Sequence, residues 1–181
     1  MNTNLTNIDG VIVIKPDIFN DERGFFSETY SKEKYFSLGI QEEFVQDNHS
    51  QSIKNTLRGL HYQSNKTQGK LVRVLRGEVL DVAVDVRKDS QTFGKYFSIL
   101  LNESNHYQLY MPPGIAHGFY VTSEFADFEY KCTDYYNPES EKGVLWSDPD
   151  LNIDWPSRSP IVSDKDSIYK RLKDIPKEDL L

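Results

Sequence analysis

The chain has 181 residues, a mass of 21.0 kDa, and 21 Lys and Arg against 28 Asp and Glu, a formal charge of −7. That length predicts one domain over 1–181, able to bury roughly 70% of the surface its unfolded chain exposes. Ten Phe, 11 Tyr and 2 Trp raise the aromatic share to 13%, which excludes a disordered chain.

No apolar run is long enough for a membrane span, and the start MNTNLTN lacks the basic and apolar regions of a signal peptide. The chain is therefore expected in the cytoplasm, with no membrane partner. Its acidic balance disfavours nucleic acid, because a duplex binder carries a basic face. Cys132 is the single cysteine, so an internal disulfide and a Cys-x-x-Cys zinc site are excluded.

In chain order, strands are predicted at Val11–Ile14 and Phe25–Tyr30, then a helix over Ser31–Leu38 stopped by Gly39. Further strands follow at Lys70–Leu75, Leu80–Val86, Lys95–Leu101, Gln108–Met111, His117–Thr122 and Phe125–Cys132. Leu80, Val82, Val84 and Val86 alternate with Asp81, Ala83 and Asp85, giving one apolar and one polar face. A short helix is expected over Ile168–Leu172, and the mixed charges of Lys170–Asp179 suggest a solvated tail. Many strands and few helices, without repeat or linker, predict an all-β sandwich or barrel.

Two of the four histidines sit in unusual company. Arg58-Gly59-Leu60-His61-Tyr62-Gln63 joins a cation, a base and two hydrogen-bonding groups, and Pro112-Pro113-Gly114-Ile115-Ala116-His117 is a tight turn delivering a histidine to a strand. The second string resembles the Pro-x-Gly-x-x-His element of the cupins, jelly-roll β-barrels that hold a metal through a His-x-His pair and an acid on an earlier strand. Here that place reads His61-Tyr62-Gln63, a donor set poor for a transition metal, so no metal is expected.

A closer resemblance runs along most of the chain. Asp21-Glu22-Arg23-Gly24-Phe25-Phe26-Ser27-Glu28, Phe44-Val45-Gln46-Asp47-Asn48-His49-Ser50, the Arg58 string and Lys70-Leu71-Val72-Arg73-Val74 are similar to the dTDP-4-dehydrorhamnose 3,5-epimerase family. So are Tyr130-Lys131-Cys132-Thr133-Asp134-Tyr135-Tyr136, Trp146-Ser147-Asp148-Pro149 and Ser163-Asp164-Lys165-Asp166, all in family order.

The resemblance implies a cupin-type jelly roll with a few short helices, and a cofactor-free enzyme. Its substrate would be a dTDP-linked 4-keto-6-deoxy sugar, epimerised at both carbons flanking the ketone. The chemistry agrees: a ketone acidifies its neighbouring C–H bonds, so such an enzyme needs a base, a cation at the enolate oxygen and an acid on the other face.

Carried over, the base is His61 with Asp166 as its carboxylate, the enolate-side cation is Lys70 and the proton donor is Tyr130. Substrate contacts map to Arg23, Glu28, Gln46, Asn48, Arg58, His117, Glu141 and Lys165, with Tyr136 stacking on the thymine. Arg23 and Glu28 would reach a neighbour's site through an exchanged strand, which implies a homodimer. Taken singly, Asp166 reads as a helix N-cap, Lys70 and Arg73 as surface charges, and Tyr130 and Tyr136 as packed rings. Three alternatives stay open at this level: a mono-epimerase, a 3,4-ketoisomerase and a non-catalytic carbohydrate-binding jelly roll.

Overall fold

A computed structural model describes residues 1–181. Thirteen strands run in chain order, beginning with β1 (Asn2–Leu5), β2 (Ile12–Lys15), β3 (Phe19–Asp21) and β4 (Gly24–Phe26). After helix α1 (Lys32–Ser37) come β5 (Gln46–Ile53), β6 (Leu57–Gln63), β7 (Lys70–Arg76), β8 (Glu78–Asp85) and β9 (Tyr96–Asn102). Then follow β10 (Gln108–Met111), β11 (Ile115–Val121), β12 (Phe125–Cys132) and β13 (Glu141–Gly143), and late in the chain the one-turn helix α2 (Asp164–Ser167).

A six-stranded sheet in the order β1-β2-β10-β7-β12-β5 faces a five-stranded sheet in the order β13-β6-β11-β8-β9. All their pairings are antiparallel, the jelly-roll arrangement expected from the sequence. Strands β3 and β4 form a separate hairpin carrying exposed Phe19, Phe25 and Phe26.

Three apolar layers account for the burial. Between the sheets lie Val11, Val13, Val72, Val74, Leu109 and Phe128 from one side and Val79, Ala83, Phe119 and Val121 from the other. Outside the six-stranded sheet, α1 seals Ile12, Ile14, Leu71 and Tyr110 with Tyr35, whose hydroxyl donates to Gln108 Oε1 at 2.6 Å. Outside the five-stranded sheet, Leu57, Val82, Val84 and Tyr120 are covered by Leu151, Trp155 and Leu172 from the C-terminal segment.

Strand β8 keeps the alternation expected of it, and two expectations in the C-terminal segment are corrected. The apolar residues of β8 do face one way, but toward the C-terminal cover, whereas Asp81 and Asp85 point into the protein and are fully buried. The Lys170–Asp179 stretch docks onto the fold: Leu172 N donates to Asp148 Oδ2 at 2.8 Å, Lys142 pairs with Asp179 at 2.8 Å, and Leu181 N bonds Val86 O at 3.3 Å. The helix expected over Ile168–Leu172 lies earlier, at Asp164–Ser167, because Ser163 caps it by accepting from Asp166 N at 3.1 Å. The strand expected over Phe25–Tyr30 is likewise short, ending at Phe26.

Candidate active site

At one end of the sandwich the inner faces turn polar and enclose a cavity of about 860 Å³. Strand alternation explains its walls. Val72 and Val74 of β7 and Ala126 and Phe128 of β12 point between the sheets, so Lys70, Tyr130 and Cys132, in step with them, point into the cavity. Gln46, Asn48 and Ser50 line it from β5 by the same two-residue step.

On the opposite wall Arg58 and His61 both face the cavity although three residues apart, which a regular strand forbids. Here β6 carries an extra residue: His117 pairs with His61 and Phe119 with Arg58, two residues of β11 against three of β6. Gly59 makes the bulge possible, with φ +120 and a position where a Cβ would lie 2.5 Å from Gly118 Cα.

His61 Nε2 lies 2.6 Å from Asp166 Oδ1, and the other carboxylate oxygen accepts from Gly59 N at 3.3 Å. Burial pushes the Asp166 carboxyl up, but His61, Gly59 and Ser163 together hold it below the usual carboxylate range. An ionised carboxylate only accepts, so Nε2 carries the proton and His61 Nδ1 is the nitrogen left free. Asp166 is therefore not the N-cap that its sequence context suggests, since Ser163 fills that position.

Facing this pair from the other sheet, Lys70 is buried with Nζ donating to His61 O at 3.3 Å and no carboxylate within salt-bridge reach. Burial lowers its pKa, against the raising pull of Cys132, Glu141 and Asp81. The Tyr130 phenol is pushed up by burial first, so it holds its proton. Neither the surface-charge reading of Lys70 nor a fully packed ring at Tyr130 holds.

The remaining lining residues form a graded rim. Arg58 Nε donates to Ser52 Oγ at 3.0 Å, and Gln46 Nε2 to Asn48 Oδ1 at 3.0 Å. At the mouth Glu141 accepts from Lys165 at 2.7 Å and from the Tyr136 hydroxyl at 2.6 Å. Tyr136 is half exposed, not packed in the core. Deeper in, buried His117 contacts Asp81 Oδ2 through Nε2 at 2.9 Å.

Every candidate residue from the sequence reaches this cavity except two. Arg23 is exposed and paired with Asp21, and Glu28 pairs with Lys34 at 2.8 Å. The lining also includes Ser50, Gln68, Phe119, Phe128 and Cys132, which sequence reasoning did not select as site residues. The two-residue spacing of Gln46, Asn48 and Ser50 was a usable signal for Ser50.

The family model described as dTDP-4-dehydrorhamnose 3,5-epimerase matches residues 5–174. The chain belongs to the dTDP-4-dehydrorhamnose 3,5-epimerase family. A family enzyme from Methanothermobacter thermautotrophicus is 46% identical over 174 residues, 94% of either chain. One from Shigella flexneri is 51% identical over 168 residues, 92% of this chain and 93% of that one. The crystal structure of the 3,5-epimerase from Legionella pneumophila, in complex with dTDP-4-keto-L-rhamnose, superposes with a TM-score of 0.96 at 53% identity. It covers 99% of this chain, and this chain covers 96% of it. Family membership makes this chain an isomerase of the epimerase class, on a cupin-type jelly roll.

Proposed function

We propose that the cavity takes dTDP-4-keto-6-deoxy-D-glucose and inverts the two carbons flanking its ketone, giving dTDP-4-keto-L-rhamnose. The observation that carries this reading is the division of labour between facing walls: His61 with Asp166 on the five-stranded side, Lys70 and Tyr130 on the six-stranded side, around one cavity. His61 Nδ1 takes the proton from the carbon beside the carbonyl, and the electron pair moves into the carbonyl to give an enolate. Asp166 holds the tautomer and stabilises the imidazolium.

The Lys70 ammonium, buried and free of any carboxylate partner, stands against the negative oxygen of the enolate. Tyr130 delivers a proton to the opposite face of the planar carbon, which inverts it; the tyrosinate then recovers a proton from solvent and the His61 imidazolium releases its proton to solvent. The cycle repeats at the second carbon. No step calls for a metal or organic cofactor, because the ketone itself supplies the electron sink.

Arg58 suits the diphosphate through its planar fork, and half-exposed Tyr136 at the mouth suits the face of a thymine ring. Gln46, Asn48, His117, Glu141 and Lys165 supply the sugar and nucleotide contacts. Arg23 and Glu28 complete a partner's site in a homodimer, with exposed Phe19, Phe25 and Phe26 of the hairpin buried between the copies. We place the enzyme in the cytoplasm, in keeping with its single buried thiol, Cys132.

Turnover in heavy water tests the assignment. The wild-type enzyme should incorporate deuterium at both carbons flanking the ketone, and a mono-epimerase would label product at one inverted carbon. Tyr130→Phe should slow inversion more than it slows exchange. Wild-type inversion at both centres by that variant would assign the acid to another group, and an enzyme with no exchange at all would be a binding module.

A further inference from the structure

Tyr169 takes no part in the proposed chemistry and does not line the cavity, yet its ring meets the imidazole of His61 edge-on, with centroids 5.8 Å apart and planes at 72°. We propose that Tyr169 is a positioning residue for His61, a ring that fixes the imidazole against Asp166 from the side turned away from substrate. The assignment rests on the reading of His61 as base.

Three observations support it. The ring lies flat on the backbone of Gly143: a Cβ built there would fall 2.3 Å from Cε2 and 2.5 Å from both Cδ2 and Cζ of Tyr169. Gly143 is in turn the strand partner of His61 across β13 and β6, so the missing side chain opens a slot beside the base, and Tyr169 fills it. The main chain on either side of the ring is also held. Leu145 N donates to Lys170 O at 2.9 Å, and Asp166, three residues earlier, is the carboxylate on His61.

One short segment thus supplies both the hydrogen-bond acceptor and the aromatic wall for the same imidazole. Burial, followed by the nearby Glu141 and Asp166 carboxylates, keeps the Tyr169 phenol protonated. An edge-to-face pair adds little to overall stability, but a base turned from its line of attack loses rate steeply.

The test compares Tyr169→Leu, Tyr169→Phe and Gly143→Ala, with kcat and KM for dTDP-4-keto-6-deoxyglucose, dTDP affinity and Tm measured for each. Tyr169→Leu should lower kcat by about 10-fold or more with KM and dTDP affinity near wild type, and Tyr169→Phe should recover most of kcat. Gly143→Ala, by displacing the ring, should reproduce the kcat loss, and adding it to Tyr169→Leu should cost nothing more.

A kcat within about 2-fold of wild type in Tyr169→Leu, or a loss that Tyr169→Phe fails to recover, overturns the proposal. So does a rise in KM that accounts for the whole effect. Should Tyr169→Leu not fold, Gly143→Ala and Tyr169→Phe decide the matter by the same criteria. Absence of solvent deuterium exchange in the wild-type enzyme would instead overturn the reading of His61 as base, so the two failures are distinct.

Discussion

Two of the protein's three histidine–carboxylate pairs carry their imidazoles on neighbouring strands of the same sheet, and they are built differently. In His61–Asp166 the imidazole is 28% exposed, and the carboxylate has a donor on each oxygen. In His117–Asp81 both partners are buried, the imidazole stacks on Phe128, and Asp81 Oδ1 has no hydrogen-bond partner. The first pair borders open cavity and has its acceptor fully satisfied, the condition for an imidazole that gains and loses a proton during turnover. The second is locked among aromatic rings and suits orientation of a bound group. Residue type alone does not separate them; solvent access and the remaining hydrogen bonds do.

Removing the first base breaks the comparison most sharply. His61→Asn should lower kcat by about 1,000-fold or more and abolish deuterium exchange, whereas His117→Gln should act mainly on KM, as steady-state kinetics on both variants will show. Next in size, Lys70→Ala should lower kcat by roughly 100-fold with a much smaller change in KM, the mark of a group felt in the transition state. A rise in KM alone would reassign Lys70 to substrate binding.

The pH profile sharpens the same point. Burial lets Lys70 lose its charge at a lower pH than an ordinary lysine, so kcat should fall along an alkaline limb beginning below the usual lysine range. Lys70→Arg, charged throughout, should lack that limb even if slower.

A smaller effect is expected for stability in acid. Asp166 is held below its ordinary value, so its ionised form favours folding above the unfolded carboxylate's pKa, and that advantage disappears as pH falls through the folded value. The Tm gap between wild type and Asp166→Asn should therefore narrow on acidification, measured by thermal scans from neutral pH downward. Smallest of all, thorough chelation should leave kcat unchanged. Loss restored by one added metal would place a metal in the mechanism.

Much of this was legible in the sequence, for physical reasons that differ by residue. The alternation in β8 correctly paired Val82 with Val84 and Asp81 with Asp85, but a polar face implies solvent only when nothing else requires polarity inside. Here Asp81 backs His117 and Asp85 is held by Arg87, Ser90 and Thr92, while the apolar face is covered by chain from beyond residue 144. Strand β5 went unseen because Gln46-Asp47-Asn48-His49-Ser50-Gln51-Ser52 contains no apolar residue to carry the pattern.

The shared orientation of Arg58 and His61 required knowing the bulge at Gly59, since their spacing places them on opposite faces of an ideal strand. Asp166 was assigned to His61 through family resemblance alone. No local rule joins residues so distant, and local rules favoured a cap that Ser163 supplies instead. Arg23 and Glu28 lie outside the cavity in the single chain, paired with Asp21 and Lys34, so the role proposed for them depends on the proposed homodimer.

The docking of the C-terminal segment has a consequence for how the protein acquires activity as it folds. His61 and Asp166 are 105 positions apart, and the segment that brings them together also closes the outer apolar layer. Sheet formation alone would leave His61, the base proposed above, without its carboxylate. In refolding, return of epimerase activity should trail the recovery of β-structure and coincide with burial of Trp155, making catalysis a reporter of the last long-range closure.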